Sequence, residues 1–135
     1  MYRVSLVKDV AEIEKNQNVI IEYLLKVLDK SPEFTLKSVL QNIQKGHSQL
    51  WLVYRDAEVL GAIVTQKVTY PVKERLLIHL CGGKDIKEWL DLYMETVEEW
   101  AKEKGLGGVE IVGRKGWVKL LPDYTTSRVM IIKEF

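Results

Sequence analysis

Residues 76–106 read LLIHLCGGKDIKEWLDLYMETVEEWAKEKGL. An apolar, strand-forming run passes through Gly82 and Gly83 into a stretch whose apolar residues, Ile86, Trp89, Leu90, Tyr93, Val97, Trp100 and Ala101, recur at helical spacing. Glycines at the end of a strand let backbone come close to a ligand. The first N–H groups of the helix that follows point at it and carry roughly half a positive charge. Such a junction can hold a phosphate, with Lys84 adding a full charge. It is also how any α/β domain makes a tight connection, and both readings stand at this point.

Working outward, residues 2–7 alternate as a first strand, and Asp9 with Glu12 forms a capping-box start for a helix carrying Ile13, Ile20, Leu24 and Leu28. Ser31 and Pro32 end it. A second helix begins near Thr35, uses Leu36, Val39, Leu40 and Ile43, and stops at Gly46. Residues 50–55 and 58–70 read as a hairpin turning at Asp56 and Ala57, and residues 75–81 as the third strand of that meander. The long helix spans residues 85–104, with Asp85 as its cap and Gly105 at its end. Residues 108–113 form a short strand, 117–121 a helical turn or two, and 128–133 a closing strand. A crossover helix between strands implies a parallel pair, with the strand at Ile78 beside the strand at Ile111.

Composition bounds the class. The 135 residues are 47% hydrophobic and 29% charged, without repeats or a linker, so one domain over residues 1–135 is expected. No apolar run approaches the roughly 20 residues a membrane span needs. The first residues do not read as a secretory signal. The lone Cys81 excludes an internal disulfide and suits a reducing compartment, so a cytoplasmic location is expected. A net charge of +1 gives no global reason to seek nucleic acid or anionic lipid. His47, His79 and Cys81 have no recognisable metal-ligand spacing, and no metal is expected.

The element order, together with EVLGAIV at 58–64, HLCGGKD at 79–85, EEWAKEKGL at 98–106 and GVEIVG at 108–113, resembles the GNAT superfamily of acetyl-CoA-dependent N-acyltransferases over nearly the whole chain. More narrowly, GRKGWVKLLPDY at 113–124 and the ending IIKEF look like small GNAT-like proteins of tailed bacteriophages. The resemblance implies an α+β, three-layer fold: a mixed, mostly antiparallel sheet, splayed at its parallel pair, with helices on both faces. It implies acetyl-CoA as co-substrate and an amine of a small molecule or protein as acceptor. It also implies that acyl-CoA lies in the splay. Ile78, His79, Leu80 and Cys81 would then flank the pantetheine arm, and the N–H groups of Gly82, Gly83, Lys84 and Asp85 would face the pyrophosphate. His79, Gly82 and Lys84 occupy the places of the family's Gln/Arg, Gly and Gly/Ala, so Lys84 puts a long side chain where a small one is usual.

The same resemblance asks for a base and an acid. Glu110 and His79 are the base candidates. Their plainer readings are a solvent-facing strand carboxylate and a hydrogen-bonded strand histidine. The family's acid tyrosine falls on Leu121, and Tyr124, after Pro122, is the nearest phenol; its plainer reading is edge packing. Arg114, in the basic and aromatic run from Arg114 to Lys119, would meet the adenosine phosphate of CoA or an acidic partner, against a plainer reading of a capped short helix over Trp117. Trp51, Trp89 and Trp100 read as core, and Cys81 as a small buried hydrophobe rather than a nucleophile. Two further function classes stay open: a GNAT-like phage protein without chemistry, acting as a structural or host-interaction module, and a domain for some other phosphate-bearing ligand. With one strand after the short helix, the usual final hairpin is short, and the resemblance implies completion through a homodimer.

Overall fold

Apolar side chains on both faces of the central strands dictate a sheet covered on each side. The computed structural model describes residues 1–113 and 116–135; Arg114 and Lys115 lie outside the described residues. Its elements are β1 (Tyr2–Leu6), α1 (Val10–Lys15), α2 (Gln17–Leu28), α3 (Leu36–Gln44), β2 (Ser48–Arg55), β3 (Glu58–Thr69), β4 (Glu74–Gly83), α4 (Ile86–Glu103), β5 (Val109–Ile111) and α5 (Gly116–Leu120). The strands form one sheet in the order β1-β2-β3-β4-β5. Neighbours from β1 to β4 are antiparallel, and β4 and β5 are parallel with Ile78 opposite Ile111, the pairing that the crossover helix predicts.

Two cores follow from the alternation. On one face Trp51, Ile63, Leu76 and Ile78 pack against Trp89, Tyr93 and Val97 of α4. On the other, Leu50, Leu52, Ala62, Val64 and Leu80 pack against Ile20 and Leu24 of α2 and Val39 of α3. Each such Leu, Ile or Val contributes about 1.5–3 kcal/mol by leaving water. Trp100 is half-buried and packs at the margin of the first core.

Four expectations are corrected. The first helix is two: Asn16 leaves helical geometry at φ −112° and ψ 16°, its side chain donating to the Glu12 carbonyl and to the Tyr54 hydroxyl. The capping box is half made, because Asp9 accepts from the Ala11 N–H while the Glu12 carboxylate accepts from Ser5 and Tyr54. The third strand of the meander runs past Cys81 to take in Gly82 and Gly83, which pair with Ala62 and Gly61. Asp85 precedes α4 in the left-handed region, φ 56°, and its side chain makes no cap hydrogen bond; a side-chain cap needs extended backbone at that position.

The closing strand over 128–133 does not form. Val129, Met130 and Ile131 are 81%, 69% and 92% exposed and pair with no strand among the described residues. No helix among the described residues is long and apolar enough to cross a membrane.

Candidate functional site

The site begins with one extra residue. Val64 pairs with Leu80 and Thr65 with Ile78, so His79 has no partner on β3 and forms a bulge. β5 follows β4 only as far as Ile78. A bulge bends its strand, and among the described residues β4 runs on from residue 79 to Gly83 with β3 alone, leaving an opening on the side that β5 has left. The Lys84 N–H donates to the Leu60 carbonyl at 2.9 Å. Alternation along an antiparallel ladder then turns the N–H groups of Cys81 and Gly83 toward the opening. Ile78 and Leu80 commit their side chains to the two cores, at 3% and 1% exposure, and present only backbone there.

His79 stands at the bulge. Its Nε2 is buried and has no hydrogen-bond partner among the described residues. The ring of Phe34, from the loop between α2 and α3, meets the imidazole edge-on. Burial pulls the imidazole below its ordinary pKa, so it is a neutral acceptor at pH 7. Glu110 sits opposite Leu77 in the parallel pair, on the face away from Val109 and Ile111, which pack toward α4. It is half-buried, and its oxygens accept from the Tyr70 hydroxyl at 2.9 and 3.1 Å. That hydrogen bond, with burial, raises the Tyr70 pKa. The guanidinium carbons of Arg75 and Arg128 lie 5.7 and 5.8 Å from the Tyr70 ring centre.

The glycine pair serves the protein's own packing. A Cβ on Gly82 would lie 2.5 Å from the Tyr23 carbonyl oxygen of α2, and one on Gly83 2.3 Å from the Leu60 carbonyl oxygen, with φ at +153°. Lys84 turns its ammonium to Glu58 at 3.3 Å, and that hydrogen bond is the main cause of its raised pKa. A hollow of about 330 Å³, lined by Tyr23, Lys26, Glu58, Gly83 and Lys84 among others, lies on this α2 side. The Lys84 carbonyl accepts from the Trp89 indole at 2.9 Å, and the Glu88 N–H donates to the Asp85 carbonyl. This leaves the N–H groups of Ile86 and Lys87, at the start of α4, without protein partners among the described residues.

On the α4 side of the opening, burial pushes the Cys81 thiol up to about 12, which makes it a poor nucleophile. Tyr124 is half-buried; its hydroxyl donates to Glu98 of α4 at 2.8 Å, and burial together with that carboxylate raises its pKa strongly. Trp117 packs on the α4 core, close enough that a Cβ on Gly113 would lie 2.8 Å from it. The Arg114 expectation lies outside the described residues. Among the described residues no three His, Cys, Asp or Glu side chains converge as metal ligands.

Sequence reasoning missed Phe34, Tyr70 and the Tyr93 hydroxyl. The last carried a signal, since a phenol on the buried stripe of a helix brings a polar atom that needs a partner. The Tyr93 oxygen is fully buried and has none among the described residues.

No family model matches the chain, and no curated protein matches it. Solved structures do. A GNAT family acetyltransferase of Staphylococcus aureus subsp. aureus USA300_TCH1516 superposes with TM-score 0.72 at 15% identity, over 99% of this chain and 98% of that one. A ribosomal-protein-alanine N-acetyltransferase of Brucella melitensis biovar Abortus 2308 gives 0.73 at 10% identity, over 100% of both chains. A predicted acetyltransferase of Clostridium acetobutylicum, solved with acetyl-CoA, gives 0.69 at 8% identity, over 100% of this chain and 96% of that one. The fold of this chain is therefore GNAT-like, an α+β domain with an open mixed sheet.

Proposed function

We propose that this chain is an N-acetyltransferase that moves an acetyl group from acetyl-CoA to an amine. Likeness of fold supports the class, and the observation that carries it to this chain is the parting of β4 from β5 after Ile78, with a bulged histidine at the point of parting. The residues fit such a co-substrate. The N–H groups of Cys81 and Gly83 face the gap, those of Ile86 and Lys87 are unpaired at a helix start, and a buried phenol at Tyr93 has no partner. In this reading the pyrophosphate rests on Gly83, Ile86 and Lys87 rather than on Lys84, whose N–H and ammonium are already engaged. Arg114, just beyond β5 in sequence, keeps the role of meeting the adenosine phosphate.

Acetyl-CoA supplies, when bound, a thioester with an electrophilic carbonyl carbon. The chain's part is to bind, orient and move protons. An amine attacks only when neutral, and His79 Nε2, neutral and unpaired, takes the proton from it. Glu110 is held by Tyr70 and forms the wall beside β5, while Tyr124, tied to Glu98, closes the α4 side. Tyr124 stays protonated at ordinary pH and keeps a proton available near the leaving sulfur. A second copy completes the exposed apolar segment over 129–132, and the homodimer is checked by sedimentation. The lone Cys81 suits a reducing cytoplasm.

Calorimetric titration with acetyl-CoA tests the reading, with Lys87→Glu as the partner variant. A negative charge in the first turn favours an isolated helix yet repels an incoming phosphate, so the variant should melt no lower than the wild type while binding about tenfold more weakly. No binding by the wild type would overturn the enzyme reading and leave a GNAT-like fold recruited for protein interaction.

A further inference from the structure

Tyr93 is 0% exposed, and its hydroxyl is one of two buried side-chain polar atoms without a hydrogen bond among the described residues. Buried phenols ordinarily find a partner. This one cannot turn to seek another, because its ring stands edge-on to Trp51 at 6.1 Å and to Trp89 at 6.4 Å. Nor do those indoles serve it: the Trp51 N–H goes to Thr65 and the Trp89 N–H to the Lys84 carbonyl.

Position says where the hydroxyl points. The Tyr93 ring stands against Trp51 of β2, and Trp51 lies in one cross-strand row with Ile63 of β3 and Cys81 of β4, all packed toward α4. That row crosses β4 just past the His79 bulge. The Cys81 thiol and the Tyr124 phenol are near enough to add to the rise in Tyr93's pKa, whose main cause is burial. All three groups therefore stay protonated, at the inner end of the opening. Resting on the acetyl-CoA reading above, we infer that the Tyr93 hydroxyl is a ligand-binding group for the pantetheine arm, hydrogen-bonding one of its polar atoms between β4 and β5. The residue makes the site prefer an acyl-CoA over nucleotides that lack the arm.

The test compares CoA with adenosine 3′,5′-bisphosphate, which carries the 3′-phosphate and one of the two 5′-phosphates but no arm, on the wild type and on Tyr93→Phe. Removing an oxygen that has no partner in the free protein should leave its melting midpoint level or higher. CoA should bind about tenfold more weakly to the variant, the loss of one hydrogen bond, while the affinity for the bisphosphate stays within about twofold. Unchanged CoA affinity would overturn the inference and assign the hydroxyl to a buried water. Equal loss for both ligands would overturn it as a general disturbance of the site. Failure of the wild type to bind CoA would instead overturn the acetyltransferase reading itself. Should the Phe variant misfold, Tyr93→Met, which keeps bulk without the hydroxyl, takes its place.

Discussion

Phe34 stands edge-on against the His79 imidazole, ring centres 4.2 Å apart and planes at 67°. Phe34 is 42% exposed and comes from the loop between α2 and α3, so a loop aromatic covers an imidazole whose Nε2 is buried. This relationship sets the sign of a pH effect. An unfolded chain protonates His79 near pH 6.5, whereas the half-buried imidazole of the folded chain holds out to lower pH. Between the two values the unfolded state binds more protons, so stability is complete above that pH and falls on acidification, by up to about 1.4 kcal/mol per pH unit. Urea unfolding from pH 8 to 5 should show the decline, and His79→Gln should flatten it. Phe34→Ala should raise the NMR titration midpoint of His79; an unmoved His79 would show that other groups shield it.

Gly83 gives the largest predicted loss of stability. Its φ of +153° is rarely adopted by other residues, and a Cβ there would lie 2.3 Å from the Leu60 carbonyl oxygen and 2.8 Å from Gly61 Cα. Backbone on both sides leaves nothing that can give way. Gly83→Ala should cost about 2–4 kcal/mol in chemical denaturation. A cost under about 1 kcal/mol would mean that β3 and β4 part more easily than their pairing suggests. For the same reason a substitution at Gly83 cannot report on ligand binding, and Lys87 is the better position.

The sheet was legible and the bulge was not. Alternation along residues 50–55 and 58–64 and the long amphipathic segment after Asp85 fix the pairing of Ile78 with Ile111, because period and crossover length leave few topologies. A two-residue period cannot show which residue in LLIHLC is the extra one, so His79 read as an ordinary strand position. Gly82 and Gly83 were legible as special backbone, but the cause is tertiary: α2 and β3 come too close for a side chain. Residues 128–133 have strand composition without a strand, since propensity alone does not make a segment pair.

Tyr124 anchors the segment after α5 to α4. Its hydroxyl donates to Glu98 at 2.8 Å, and its ring packs on the α4 core. Tyr124→Phe should cost about 1 kcal/mol in urea unfolding, and Glu98→Gln, which keeps an acceptor, should cost less. Should Tyr124 also hold the proton for the leaving sulfur, the Phe variant lowers turnover without changing CoA affinity. Loss of CoA affinity in step with loss of stability would mark the residue as scaffold alone.

Trp51, 2% exposed, carries the most demanding polar atom of the α4 core. Its indole N–H donates to Thr65 Oγ at 2.9 Å, and that hydroxyl donates in turn to Gln49 at 2.8 Å. Thr65 is 0% exposed and lies where β3 and β4 shift register, so one hydroxyl at the bulge satisfies an indole from β2. Thr65→Val keeps the shape of the side chain and strands the indole N–H in an apolar surround. Such a donor costs about 1–3 kcal/mol, in denaturation experiments, when its partner is removed. Thr65→Ser, which keeps the oxygen and drops a methyl, should cost less than Thr65→Val even though it buries less apolar surface. If Ser proves the more damaging change, packing rather than the indole bond holds β2 against the bulge.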